Sequence, residues 1–518
     1  MKQLAGIAGI ALLMAALFPS LWLAWESRDM PHLGAAHDDA IYWVSAKSLA
    51  QDFSYRTLSS PGAPFQTLYP PLYPALLAVV WRIDPAFPQN LPIATLLNWS
   101  LLPLFVILSV LLFRESGLGW ASWPLGALIA LTPIVVLSGL RLMSELLFCV
   151  LLLATVLVMN RAARTHSTRL VVTAGLLAGL AFLAKTAGIA LVLAGAIALA
   201  IVYRQLKHAA LLASVSAPFI LGWTWWVRAS TPALSQTSGS LGNYSDFLLH
   251  RVTLGQHFEL AAKNCVLLCN AIAGMLIPNT PWRTGILDIA ALAGAILIFR
   301  RRRSPAYAIF ALIYIAVLIV WPYPPDIRLA MPLLPLLVMA LAAAVGAVWR
   351  FLLADKKRIA VTLCAAVCLA LAAMGGILSL ITSYVSVRYG IPQFVEQQRK
   401  QRDCDQVAYH WVRTNTRPSD NILADRPPVL YLYTGRAALS PILPPTDWYQ
   451  SEEYRVEDWL SILPQFTRSH QLEYAFLCNS DLSAPSKAKA QATFRAEGWT
   501  ERAVVCDGCS VYEITRER

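Results

Sequence analysis

Charge is what this chain has least of. Of its 518 residues, 14% are charged and 57% are hydrophobic, whereas a soluble domain of average composition carries about 25% charged residues. That shortfall excludes an ordinary soluble protein and points to an integral membrane protein. A glycine-rich, phosphate-binding helix start is missing. No internal repeat and no long disordered tract is visible. No second Cys-x-x-Cys accompanies Cys506-Asp-Gly-Cys509, so a structural zinc site lacks ligands.

Acids are scarcer still than bases: 30 Asp and Glu stand against 42 Lys and Arg, a net charge of +12. Nucleic acid is not the partner this implies, because no basic, aromatic-rich soluble module is present. The basic residues sit in short loops between apolar runs: Arg161, Arg164 and Arg169; Arg204 and Lys207; Arg300 to Arg303; Arg350, Lys356, Lys357 and Arg358. Such loops face the cytoplasm under the positive-inside rule.

What is abundant is apolar sequence of membrane-spanning length. About eleven spans are predicted, at 4–25, 92–113, 120–139, 142–160, 170–185, 186–203, 209–228, 285–300, 305–321, 330–349 and 359–384. The first is too long and too poorly terminated for a cleaved signal peptide and reads as a retained helix. With the N-terminus inside, all the basic loops fall inside. The loop 26–91, the long loop 229–284 and the C-terminal region fall outside. Residues 72–82 are apolar but too short to span, which predicts an interfacial or re-entrant helix.

The predicted fold is therefore mainly α, a polytopic membrane module over 1–384 followed by a small extracytoplasmic α/β domain over 385–518. In that domain the pattern predicts a helix at 396–413, a strand at 421–424, a helix from Pro428, a strand at 474–478, a helix near 484–497 and a terminal hairpin about Asp507-Gly508. Of nine cysteines, Cys149, Cys265, Cys269, Cys364 and Cys368 lie in or near apolar segments and read as packing residues. Cys404, Cys478, Cys506 and Cys509 lie in the outer domain, where disulfides are allowed. A two-residue hairpin would set Cys506 opposite Cys509, so a local disulfide between them is expected.

Candidate chemistry gathers at the outer face. Asp38 and Asp39 adjoin just outside the first span. Asp is also a common N-cap residue, but Tyr42, Ala46 and Leu49 continue a helical period after them, and Lys47 follows on the same helix. Pro61, Pro64, Pro70, Pro71 and Pro74 stiffen the rest of the loop. A pair of acids in a rigid outer loop suits a general base, or a divalent cation. No cofactor and no set of metal ligands is assigned. Arg141 and Glu145 bracket the outer end of a hydrophobic hairpin and, four apart on a helix, could pair. Lys185 lies at the outer end between two spans. Asp326 and Arg328 lie in the tight turn before the tenth span. Cations at this depth suit a lipid phosphate, where water is scarce, although Lys and Arg also snorkel at interfaces. His37, His250 and His257 are weaker candidates.

The chain resembles the membrane glycosyltransferases of the GT-C superfamily, protein O-mannosyltransferases and ArnT-like aminoarabinose transferases above all. HDDAIY (37–42) is similar to their D-(E/D)-x-x-Y signature, PPLYPALLA (70–78) to their PPL segment, SELLF (144–148) to their SE-x-x-F, and IRLAMPLLPLL (327–337) to their R-Y-x-x-P-x-x-P. WVRTN and YLYTGR in the tail are also similar. The chain departs from the pattern with Asp39 in place of the commoner Glu, Leu329 in place of an aromatic, and Lys185 in place of Arg. The DXD-type metal motif of oligosaccharyltransferases is not evident.

The resemblance implies an inverting transferase that moves a hexosyl or pentosyl group from a polyprenyl-phosphate sugar to a hydroxyl-bearing acceptor, which would be a protein, glycolipid or glycan. It places the enzyme in a bacterial inner membrane with its C-terminal domain extracytoplasmic. Asp38 would take the acceptor proton, with Asp39 orienting the acceptor or Asp38. Lys185 and Arg328 would steady the departing phosphate. Glu145, Tyr42, Tyr69 and Arg141 would complete the binding set. The competing reading is a transporter or flippase for a lipid-linked or anionic substrate. It calls for broken helices at mid-membrane and paired repeats, whereas here the charges gather at one interface. Convergence of Asp38, Glu145, Lys185 and Arg328 is the discriminating expectation.

Overall fold

The structure is a computed structural model that describes residues 2–231, 254–277, 281–300, 304–354, 359–478, 482–506 and 509–514. Among these, helix covers every predicted span. The membrane part comprises α1 (Lys2–Glu26), α2 (Asp38–Asp52), α3 (Leu72–Ile83), α4 (Leu91–Glu115), α5 (Ser122–Leu131), α6 (Pro133–Leu140), α7 (Glu145–Thr165), α8 (Thr168–Ala184), α9 (Ile189–Ile197) and α10 (Leu206–Ser230). It continues with α11 (Leu254–Gly274), α12 (Pro281–Arg300), α13 (Pro305–Ile319), α14 (Ile327–Ala330), α15 (Leu334–Ala354) and α16 (Ile359–Val385). Among the described residues, five helices are long and apolar enough to cross a bilayer, and the bent pair of α5 and α6 meets the same test only when the two are taken together. Shorter apolar helices, α8 and α13 among them, pack beside these. The protein is an integral membrane protein.

Two predicted elements differ. The span 120–139 is not one helix, because Thr132 is extended ahead of Pro133, as the residue before a proline prefers. The two halves meet at 57°. Buried Asn98 on α4 caps the C-terminal end of α6: its amide donates to the carbonyls of Ser138, Gly139 and Arg141 at 3.0, 3.0 and 2.8 Å. The hydroxyl of Tyr73 donates to its side-chain oxygen at 2.8 Å, so α3 and α6 are pinned to one residue. Second, the stretch 229–284, read as a loop, contains helix α11. Its Gln256, Glu259, Lys263 and Asn264 interrupt the apolar run and hide a helix from a hydropathy reading. Residues 232–253, with His250, lie outside the described residues.

After α16, a π turn over Ser386–Gly390 leads into α17 (Ile391–Asn415) without a break. The chain then forms β1 (Ile422–Ala424), α18 (Pro427–Thr434), β2 (Ala438–Leu439), α19 (Glu452–Ser469), β3 (Tyr474–Cys478), α20 (Ala484–Ala496), β4 (Thr500–Cys506) and β5 (Cys509–Glu513). The sheet order is β2-β1-β3-β5-β4. β1 runs parallel to β2 and β3, while β5 is antiparallel to β3 and β4. Alternation sorts the faces. Leu423, Ala475 and Leu477 pack with Leu460, Leu463 and Phe494 of α19 and α20. Ile422, Ala424 and Phe476 face α17 and α18 and join the main core.

The cysteines correct the sequence reading. Cys404 pairs with Cys506, and Cys478 with Cys509, in place of a local Cys506–Cys509 bond. Because β5 lies between β3 and β4, Cys509 sits opposite both Cys506 and Cys478, and α17 delivers Cys404 to Cys506. Cys149 is buried as expected, but Cys265 and Cys269 on α11 are exposed and do not pack in a core.

Candidate active site

The site is built on the turn that precedes α2. His37 and Gly34 both take positive φ, 61° and 88°, and this folds residues 30–37 tightly against the start of the helix. The Gly34 N–H donates to both oxygens of Asp39 at 3.1 Å, and the Ala40 N–H donates to Oδ1 at 2.8 Å. Asp39 is thereby fastened to the N-terminal turn of α2, where backbone donors favour an anion. It is 1% exposed, and burial pushes its carboxyl up to about 6 despite these donors.

Asp38 turns the other way, toward the membrane module. Its Oδ1 accepts from the Tyr69 hydroxyl at 2.6 Å, and its Oδ2 accepts from Arg328 Nη1 at 3.1 Å. His37 Nδ1 stands 3.7 Å away. Burial works to raise this carboxyl, but His37, Arg328 and Tyr69 together hold it at about 2. Its side chain keeps 23% of its surface open, so it is reachable.

Two helix breaks supply the remaining charges. Glu145 is the first residue of α7, and Lys185 is the extended residue that ends α8. Lys185 Nζ donates to Glu145 Oε1 at 2.8 Å. Arg328 sits on the short α14, whose N-cap Asp326 accepts from the Leu329 N–H. Its Nε lies 3.6 Å from Glu145 Oε1, so Arg328 stands between the Asp38 and Glu145 carboxylates. Glu145 Oε2 and Arg328 Nε are buried without a hydrogen-bond partner. A buried polar atom left unpaired is costly, and here two of them face the same cluster.

Aromatic rings wall the cluster. The Tyr42 ring meets those of Tyr69 and Tyr73 edge-on at 5.0 and 5.1 Å, and its hydroxyl is 3.0 Å from Ser144 Oγ. The Tyr55 hydroxyl donates to the Tyr69 carbonyl at 2.8 Å. Asp38, Glu145, Lys185, Arg328, Tyr42 and Tyr69, drawn from α2, α3's approach loop, α7, α8 and α14, thus converge. Arg141 does not pair with Glu145, although its charge acts on Asp39. No helical turn links it to Glu145, because α6 ends before it and α7 starts after Ser144. The expected Arg141–Glu145 pair is replaced by a guanidinium over the Phe394 ring at 4.9 Å. Sequence reasoning missed Ser144 as a partner of Tyr42, and Asn98 and Gly34 as supports. Ser144 lay inside a quoted motif, while nothing local marks Asn98.

The donor set as arranged does not fit a divalent cation. Both Asp38 oxygens are engaged, and a guanidinium separates the two carboxylates. The groups of three metal-competent atoms among the described residues are Cys404, Cys506 and Cys509, and Asp405, Cys478 and Cys509, far along the chain in the C-terminal region.

This bundle of helices, followed by a small α/β unit, is a fold shared with solved membrane-protein structures. Solved structures of this fold include ArnT from Cupriavidus metallidurans in the apo state, at 14% identity and TM-score 0.56, covering 99% of this chain and 98% of that one. The same protein bound to undecaprenyl phosphate matches at 15% identity and TM-score 0.56, with 98% of both chains covered. The apo oligosaccharyltransferase of Archaeoglobus fulgidus matches at 15% identity and TM-score 0.53, over 93% of this chain and 70% of that one. No protein-family model and no curated protein sequence matches the chain. At these identities the likeness is one of fold.

Proposed function

We propose that the protein is an inverting glycosyltransferase that moves a sugar from a polyprenyl-phosphate donor to a hydroxyl acceptor at the outer face of a bacterial inner membrane. The observation that carries this reading is the meeting of Asp38 with Arg328, Lys185 and Glu145, four residues spread over 291 positions of sequence (38 to 328, both ends counted). The ArnT fold neighbour, solved with undecaprenyl phosphate, supports the donor class. The basic loops support an N-terminus inside, which puts the α/β domain, residues 385–518, outside.

In this mechanism the acceptor oxygen attacks the anomeric carbon from the face opposite the phosphate. Its proton passes to Asp38. The bond from the anomeric carbon to the phosphate oxygen breaks, and its electron pair leaves with the lipid phosphate. A positioned base is worth about 10²–10⁴-fold. Arg328 and Lys185 stabilise the charge that develops on the leaving phosphate. Glu145 orients both cations, and its free Oε2 accepts from a donor hydroxyl or amine. Tyr69 orients Asp38, Tyr42 walls the sugar, and Asp39 holds the turn that presents Asp38.

Purified protein in lipid nanodiscs, incubated with a panel of radiolabelled polyprenyl-phosphate sugars, should consume one donor and release polyprenyl phosphate. Asp38→Asn should slow that release by about 10²–10⁴-fold at normal expression. Movement of intact donor between leaflets without release of sugar would replace this reading with a flippase.

A further inference from the structure

We propose that the C-terminal α/β region forms part of the active-site framework, with Val429 on α18 acting through Gly34 as a positioning residue for the Asp38–Asp39 pair. The proposal rests on Asp38 as the working carboxylate.

Gly34 packs against the C-terminal region behind the site. Its φ of 88° suits glycine, and its N–H is shared by both Asp39 oxygens at 3.1 Å. A Cβ at this position would collide with the Val429 side chain and come within 3.5 Å of Arg426 Cδ. Val429, itself 6% exposed, therefore lies directly against the Gly34 Cα and blocks the turn from moving away from α2. Asp39 depends on the direction of the Gly34 N–H, and Asp38 is its neighbour in the same helical turn. A tilt of that turn shifts Asp38 relative to Tyr69 and Arg328, which belong to other elements.

The seam is broad enough to hold that position. Lys47 Nζ on α2 lies over the Trp81 ring at 5.5 Å and the Tyr431 ring at 5.0 Å. Phe87 meets Tyr433 edge-on at 4.8 Å. The Ala438 N–H donates to the Ser59 carbonyl at 2.8 Å. Asp29 pairs with Arg402 and Arg399 of α17 at 2.7 and 3.4 Å. The first outer loop is thus gripped by α17, α18 and β2, and Val429 bears on the turn whose Gly34 N–H holds Asp39. Lys185 and Arg328, in contrast, are held by the membrane module.

The test uses the full-length protein with Val429→Ala, and with Val429→Thr, which keeps the branched shape of valine. Should the alanine variant not fold, Val429→Ile, which crowds Gly34 with one more methylene, takes its place with the same expected loss of kcat. Val429→Ala should lower kcat by about tenfold or more, as misplacement of a reacting group does. Its Kd for undecaprenyl phosphate should stay within about twofold of the parent, and Val429→Thr should keep most of the parent's kcat. Independently of turnover, amide hydrogen exchange at Gly34 and Ala40 should quicken in Val429→Ala while α7 keeps its protection. Unchanged exchange at those two amides, or a loss of kcat matched by an equal loss of phosphate binding, overturns the proposal. If the parent transfers no sugar yet the exchange responds as stated, the transferase reading falls and the link from Val429 to the acid pair stands.

Discussion

Arg328 grips Asp38 at 3.1 Å while standing 3.6 Å from Glu145. One guanidinium therefore serves the proposed base and the proposed phosphate site together. A donor phosphate arriving at Arg328 competes with Asp38 for it, and release from Arg328 makes Asp38 a stronger base. Asp38→Asn removes the competitor. It should cost about 10²–10⁴-fold in transfer, yet bind undecaprenyl phosphate as tightly as the parent or more so. Arg328→Ala should lose both. Fluorescence or scintillation binding on the two variants checks the pair, and weakened phosphate binding in Asp38→Asn would contradict the competition.

The Lys185–Glu145 contact is a buried pair, with Glu145 2% exposed. Lys185→Met leaves the carboxylate with only the 3.6 Å approach of Arg328. Breaking such a pair from one side costs about 3 kcal/mol. Thermal unfolding in detergent should show a clear drop for Lys185→Met. The double variant Lys185→Met/Glu145→Gln should recover much of it, because no unpaired charge remains.

Asp39 gives stability a pH dependence whose sign is set by its upward shift from 3.8 to about 6. In that window the folded protein holds a proton that the unfolded chain has released. Stability therefore falls as pH rises from about 4 through about 6, and levels off above. Buried Asp405 is also raised to about 6 and adds a slope of the same sign. Asp39→Asn should flatten part of the fall, and Asp39→Asn/Asp405→Asn most of it, in melting curves from pH 4 to 8. Asp38, held at about 2, contributes stability above its unfolded value that is lost only as pH drops toward 2.

Non-reducing peptide mapping should recover Cys404 linked to Cys506 and Cys478 linked to Cys509. The first bond closes 102 residues of chain, and a crosslink over so long a loop contributes about 2–5 kcal/mol. Cys404→Ser should lower the unfolding temperature of the C-terminal region. A Cys506–Cys509 linkage in the map would refute the pairing.

Much of the architecture was legible because a bilayer imposes a simple demand. Backbone polar groups must be satisfied within the segment, so apolar runs of spanning length become helices wherever they occur, and helix appears at every such run here. The α/β tail followed from local turn chemistry: β3 runs from Tyr474 to Cys478 as expected, and α18 starts one residue before Pro428. Helix α11 was hidden because its polar residues spoil an average taken over neighbours. The bend at Thr132 was hidden because a hydropathy count is blind to a proline's effect on the residue before it. Helix α19 was missed altogether, although Ser451 before Glu452 and Glu453 is a helix-start signal.

At the site, composition and motif order picked out Asp38, Asp39, Glu145, Lys185 and Arg328 as candidates, because charges are few in this chain and each one near an apolar boundary stands out. Partners are another matter. Arg141 was matched with Glu145 on spacing, but spacing implies contact only inside one continuous helix, and the chain is broken between them. Cys506 was matched with Cys509 for a similar local reason, whereas the neighbouring strand and a helix a hundred residues earlier supplied the true sulfurs. Local periodicity and hydropathy thus determine which segments are helices and which residues sit at their ends, since those depend on near neighbours and solvent. Only the packed tertiary structure decides which ends meet, since contacts such as Arg328 with Asp38 or Val429 with Gly34 depend on how distant elements fill space against one another.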